Sequence, residues 1–203
     1  MDKHVISELK YIKNWLEENK DFISYESVDP ITRIFINPRG MTGDRYKFRL
    51  EEINECLAKE ERLDNVYLGM AKELSNLSHA ERAKVGCLIV NSEGQIVSQG
   101  YNGTPSGFDN CCEEEHDGKL TTKHEVLHAE SNAISKCAKW GGSTDGATLY
   151  VTMSPCYECA KLIIQAGIKR VVYTELYRDK TGIELLEKAG IEVNHYINGK
   201  QQL

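Results

Sequence analysis

Two short stretches of the chain hold side chains able to grip a metal and move a proton: His128-Ala129-Glu130 and Pro155-Cys156-Tyr157-Glu158-Cys159. Spaced three apart at the start of an expected helix, Cys156 and Cys159 share one face and one turn, so their sulfurs can hold a single ion. The helix dipole and free N–H groups at that end favour the thiolates that a metal needs. Two thiolates and an imidazole suit zinc, and three protein ligands leave a fourth tetrahedral position for water, which separates a catalytic zinc from a closed structural one. Two residues on from His128, Glu130 cannot point where the imidazole points on an ideal helix. It is expected to exchange protons with that water instead of ligating the metal. The plainer readings of Cys156 and Cys159, a structural zinc knuckle or two core thiols, have no use for it.

These residues need elements to position them. Hydrophobic periodicity predicts a helix over residues 63–77, then a hairpin of strands 85–90 and 96–101 around the turn Ser92-Glu93-Gly94. Residues 102–124 are turn-rich and polar, and so long a loop in a compact domain is expected at a site mouth. Its run Glu113-Glu114-Glu115 would repel an anion and is expected to face away from the substrate. There follow a helix over 127–139 ending at Gly141-Gly142, a strand over 148–152, a helix over 156–166 with Pro155 at its entrance, a strand over 170–174, a helix over 181–189 and a strand over 191–196. That alternation implies parallel strands joined by crossover helices. The expected fold is α/β, a three-layer α/β/α sandwich around a mixed, mostly five-stranded sheet.

Residues 1–60 carry no chemical motif. Apolar residues at helical spacing over 4–19 suggest a helix, and the stretches 31–36 and 45–50, flanking Asn37-Pro38-Arg39-Gly40 and Gly43-Asp44, suggest a hairpin. Residues 1–60 are therefore expected to form an N-terminal extension of unassigned role, and residues 61–203 the domain that carries the chemistry.

Composition narrows the classes further. With 203 residues, 40% hydrophobic, 28% charged and only 4 Pro, the chain is neither collagen-like, low-complexity nor wholly disordered. Its 25 basic and 31 acidic residues give a net charge of -6, without the basic excess of a protein that wraps nucleic acid. No apolar run approaches the roughly 20 residues of a membrane span, and no apolar stretch follows Met1-Asp2-Lys3-His4, so a cytoplasmic protein is expected. Seven Cys is an odd count without a secretory signal, which argues against a disulfide framework. Cys87 and Cys137 fall in apolar elements and read as small buried hydrophobes. His4 and His195 have no ligand partner nearby in sequence, whereas His124, four residues before His128, could line the site.

His-x-Glu with Pro-Cys-x-x-Cys is the signature of the zinc-dependent nucleobase deaminases. Residues 63–195 resemble the deoxycytidylate (dCMP) deaminases of that group in several stretches at once: Val85-Gly86-Cys87, Gly100-Tyr101-Asn102-Gly103-Thr104-Pro105, His128-Ala129-Glu130-Ser131-Asn132-Ala133-Ile134 and Pro155-Cys156-Tyr157-Glu158-Cys159-Ala160-Lys161. The resemblance implies a cytidine-deaminase-like fold and hydrolytic deamination of dCMP to dUMP and ammonia by zinc-activated water. His128, Cys156 and Cys159 would be the zinc ligands and Glu130 the acid/base. Asn102 would contact the deoxyribose, the Ala129 amide and the Ser154 carbonyl would read the cytosine edge, and Tyr177 would touch the substrate.

The resemblance also implies a homo-oligomer and admits dCTP and dTTP as effectors. Some dCMP deaminases hold a second, structural zinc partly through Cys or His just before the Val-Gly hairpin. Here that stretch reads Ser78-His79-Ala80-Glu81-Arg82-Ala83-Lys84, without Cys, which leaves Cys111, Cys112, His116 and His124 as candidate ligands. A substrate phosphate would need cationic partners, for which Arg82, Lys84, Lys123 and Arg178 are candidates. Two alternatives stand beside the dCMP reading: a nucleoside or tRNA-editing deaminase, and a non-enzymatic zinc-stabilised relative in DNA uptake or regulation.

Overall fold

The computed structural model describes residues 9–14 and 43–202. By compactness the chain divides between Arg62 and Leu63 into two units. In the first, residues 9–14 are helical and Ile12 and Ile53 are buried.

Helix α1 runs unbroken over Gly43–Ser75. Residues 45–50, expected as a strand, are therefore helical. Tyr46, Phe48 and Leu50 alternate as a strand would, yet Leu50, Ile53 and Leu57 continue the apolar positions at the spacing of a helix, and the longer periodic pattern prevails. The companion stretch 31–36 and most of the helix expected over 4–19 lie outside the described residues.

The second unit has the expected three layers. Strands β1 (Gly86–Val90), β2 (Ile96–Tyr101), β5 (Thr148–Met153), β6 (Arg170–Glu175), β7 (Glu192–Ile197) and the two-residue β8 (Lys200–Gln201) form one sheet in the order β2-β1-β5-β6-β7-β8. β1 is antiparallel to β2 and β5, whereas β5, β6 and β7 run parallel. Strand β8 adds antiparallel to β7, a short sixth strand beyond the expected five. Helices α2 (Ala129–Lys139), α3 (Tyr157–Gln165) and α4 (Thr181–Lys188) complete the alternation. Strands β3 (Glu113–His116) and β4 (Lys119–Thr122) form a separate two-stranded sheet inside the stretch expected to be loop.

The central strands are buried along most of their length because both faces are covered. On one face, Cys87, Ile89, Leu149, Val151, Val171 and Tyr173 pack against α2, α3 and α4 through Ala129, Ala133, Ala160, Ile163 and Leu186. On the other, Leu88, Val90, Tyr150, Val172 and Tyr196 meet Leu68 and Ala71 of α1. The buried positions of α1 on this face, Asp64, Leu68, Ala71 and Ser75, recur every three or four residues.

A buried charge pins α1 to three strands. The Asp64 carboxylate, 1% exposed, accepts Arg170 Nη1 at 2.8 Å and Nη2 at 2.6 Å, and the hydroxyls of Tyr150 at 2.8 Å and Tyr196 at 2.6 Å. Arg170 Nε donates to Asn194 Oδ1. Such a pair is tolerated in the interior because hydrogen bonds satisfy both partners.

Candidate active site

Helices α2 and α3 each begin on a residue that does not cap its own helix. His128 (φ -71°, ψ 157°) and Cys156 (φ -72°, ψ 170°) occupy the N-cap positions in extended backbone, and neither side chain makes a capping hydrogen bond. They turn to one another instead. His128 Nδ1 lies 3.4 Å from Cys156 Sγ and 3.4 Å from Cys159 Sγ, and the three donor atoms fall within 4.8 Å. Zinc bonds of about 2.0–2.1 Å to nitrogen and about 2.3 Å to sulfur, at a tetrahedral angle, set such atoms roughly 3.5 Å apart. The donor set fits that ion in both chemistry and spacing.

His128 and Cys156 thus stand just before the helices that were expected to contain them, and the positive ends of two helix dipoles converge on the donors. That field favours thiolate, and the bonds among the donors shift the two thiols in opposite directions. The bond with Cys159, followed by that with His128, holds the Cys156 thiol down at about 4. The same Cys156 bond and burial push Cys159 up, and the bond to Cys156 raises His128.

Glu130, 4% exposed, lines the cavity beside these donors, and burial pushes its carboxyl up to about 6. It reaches this position because α2 lies directly on strand β2. At Gly100 a β-carbon would stand 2.6 Å from Ala133 N and closer still to Ala129 O, so only glycine admits the helix. Beneath the site, Cys87 is fully buried and its thiol is raised by burial and by Glu130, in keeping with an inert core residue. Cys137 is also buried, and His195 stacks on Tyr173.

The cavity measures about 350 Å³, within the range of small-molecule sites. Asn102, Ala129, Ser154 and Tyr177 line it together with His128, Glu130 and Cys156. The Asn102 side chain is already engaged: Oδ1 accepts Val85 N and Nδ2 donates to Ala83 O, both at 2.8 Å. A carboxamide has two N–H groups and two lone pairs, so each of these bonds uses half the capacity on its side. Ser154 Oγ accepts Tyr177 N at 2.8 Å and so fixes the segment bearing that tyrosine.

Of the four cationic candidates, Arg82 and Arg178 line the cavity. Lys123 lies 3.8 Å from Asp109. The expectation for Glu113 needs correction: it is buried at 7% exposure and lines the cavity, while Glu114 and Glu115 are exposed. Its carboxylate turns inward because Oε1 accepts the backbone N–H groups of Glu81 at 3.2 Å and Arg82 at 3.3 Å. Thr122, also unanticipated, lines the cavity from the facing strand. Asp117-Gly118 was the available signal, since both residues have positive φ (52° and 73°) and make the tight turn joining β3 to β4.

Among the described residues, Cys111, Cys112, His116 and His124 form no second three-donor group. Cys112 instead packs with Ala80 and Val126 in a small apolar cluster, Ala80 coming from the stretch that lacks Cys.

With the geometry in hand, comparison with known proteins is specific. The family described as cytidine and deoxycytidylate deaminase zinc-binding region matches residues 61–175. The chain belongs to the cytidine and deoxycytidylate deaminase family. It is 38% identical to the deoxycytidylate deaminase of Homo sapiens over 159 residues, 70% of this chain and 85% of the relative. It is 40% identical to ComE operon protein 2 of Bacillus subtilis (strain 168) over 131 residues, 63% of this chain and 67% of the relative. A crystal structure of the dCMP deaminase from the cyanophage S-TIM5, in complex with dCMP and dUMP, superposes with a TM-score of 0.63 at 45% identity, covering 66% of this chain and 97% of that one.

Proposed function

We propose that this protein hydrolyses dCMP to dUMP and ammonia, with zinc held by His128, Cys156 and Cys159. One observation carries the reading: a buried carboxyl, Glu130, lines the same cavity as His128 and Cys156, two members of a three-donor set of zinc-like spacing. The deoxycytidylate deaminases among its relatives, and the dCMP and dUMP bound in the S-TIM5 enzyme, support the choice of substrate. A silent zinc-stabilised relative would have no use for Glu130.

Zinc, when bound, supplies Lewis acidity that lowers the pKa of a water from about 16 to about 7. The chain's own residues do the rest. Glu130 accepts a proton as water adds to C4 of the cytosine and passes it to N3; it then takes the second water proton from the hydroxyl now on C4 and gives it to the amino group, so that C4=O forms, the C–N bond breaks and ammonia leaves. The Ala129 N–H and the Ser154 carbonyl hold the O2 and amino edges of the base. Asn102 offers its remaining N–H to the deoxyribose, and Tyr177 closes on the nucleotide.

Residues 1–60 are read as an extension to the deaminase domain of residues 61–203, in accord with the division at Arg62 and Leu63. The protein is further read as a cytoplasmic homo-oligomer open to dCTP and dTTP control. Among the described residues no helix is long and apolar enough to cross a membrane. Product analysis tests the reaction: dCMP incubated with the zinc-loaded chain should give dUMP and ammonia in equal amounts, and a failure to release ammonia refutes it.

A further inference from the structure

Strands β3 and β4 contribute little to the core. They form a two-stranded sheet of their own, and every residue in them except Glu113 and Thr121 is exposed. An isolated hairpin of this size is marginal by itself, and its one buried residue carries a charge.

Glu113 and Thr122 are directly opposed in the register of that hairpin. Both act on Arg82. Glu113 Oε1 accepts the backbone N–H groups of Glu81 and Arg82, while Arg82 Nη1 donates to Thr122 Oγ1 at 2.9 Å. One cross-strand pair therefore holds the residue at its backbone and at its guanidinium. Downstream, the Asn102 carboxamide fixes Ala83 O and Val85 N, so the segment is anchored on both sides of Arg82. Arg82 lines the cavity that holds His128 and Glu130. Only one of its five donors goes to Thr122, and the remaining fork matches a phosphate.

We propose that the β3–β4 hairpin sets selectivity for the nucleotide 5′-phosphate, with Glu113 and Thr122 as positioning residues that hold Arg82 toward it. The cavity is of small-molecule size and continuous with the reacting centre, so the phosphate belongs to the substrate. Holding a long cationic side chain in advance removes the rotamer entropy that binding would otherwise cost. The two N–H groups offset the charge of Glu113, which would otherwise repel the dianion. The proposal rests on the dCMP reading and adds the element that enforces it.

The test compares kcat and KM for dCMP and deoxycytidine in the full zinc-loaded chain and its Thr122→Val, Thr122→Ser and Glu113→Gln variants. Thr122 is exposed, so its substitution spares the fold even if Glu113→Gln does not. Thr122→Val should raise KM for dCMP about tenfold, the low end for losing a hydrogen bond to a charged group, with kcat changed far less. The preference for dCMP over deoxycytidine should fall by the same factor, and Thr122→Ser, which keeps the hydroxyl, should restore it. A wild-type preference for dCMP that persists in Thr122→Val, or equal losses on both substrates, overturns the role of the hairpin and leaves the dCMP reading standing. A wild-type chain that does not act on dCMP overturns both.

Discussion

Gly182 has no side chain because the backbone of Cys156 lies where its β-carbon would stand. A β-carbon there would come within 2.8 Å of the Cys156 carbonyl carbon and closer still to Pro155 O. Glycine inside a helix costs about 1 kcal/mol relative to alanine, so its place in α4 answers to this contact. Gly182→Ala should push α4 away from the segment bearing Cys156. Overpacking of this kind costs about 1–3 kcal/mol, and the displaced sulfur should lower zinc affinity more than tenfold in competition with a chromophoric chelator. Gly69→Ala in α1, with nothing within 4 Å of the added carbon, is the control and should not destabilise. Equal zinc affinity and melting in wild type and Gly182→Ala would sink this account.

Glu130→Gln should keep its zinc and lose its chemistry, because the amide is nearly isosteric but cannot accept and return a proton. General acid–base catalysis contributes roughly 10²–10⁴-fold, and the proposed mechanism uses Glu130 for more than one transfer. Turnover should fall at least a hundredfold with metal content unchanged. Activity within tenfold of wild type would show that another group moves the proton.

Removing the metal should loosen the junction of α2 and α3, whose N-termini carry all three donors. Chelation is expected to lower the melting temperature, and added zinc to restore it, since binding energy realised only in the folded state is folding energy. Cys156→Ser should lose zinc and melt lower even with zinc present. A Cys156→Ser protein with full zinc content and unchanged melting would remove Cys156 from the ligand set.

The Asp64 network predicts a large stability effect on the face away from the zinc donors. Asp64→Ala takes from Arg170, 2% exposed, the carboxylate that accepts both ends of its guanidinium and leaves the longer 3.5 Å contact with Glu192. Breaking a buried pair from one side costs about 3–5 kcal/mol. Chemical denaturation should show a loss of that size, and one below about 1 kcal/mol would mean that water or a rearranged partner replaces Asp64.

Much of this was legible from residue types and spacing. The apolar runs of β1, β5 and β6 and the turn residues between them set out the layers, and His128, Glu130, Cys156 and Cys159 stand close in sequence to the elements that present them. What stayed hidden depends on contacts distant in sequence. Glu113 reads as one of three solvated carboxylates until the N–H groups of Glu81 and Arg82, some thirty residues upstream, are seen to meet it. Asp64 is one acidic residue in a charged helix until Arg170, Tyr150 and Tyr196 converge on it. The strand expected over 45–50 failed because an alternating window of six residues is too short to distinguish a strand from the start of a long helix.

On the proposed function, the cavity beside His128, Cys156 and Cys159 deaminates a deoxynucleoside monophosphate. The most direct test is kcat/KM of the zinc-loaded chain for dCMP, deoxycytidine and CMP side by side. A strong preference for dCMP over deoxycytidine is expected, because each charge-assisted hydrogen bond lost with the phosphate costs about 1.5–3 kcal/mol. Discrimination against CMP should be moderate, about a hundredfold at most, since a pocket rejects an added hydroxyl only weakly. Equal values for dCMP and deoxycytidine, or no deamination of any of the three, would contradict the account.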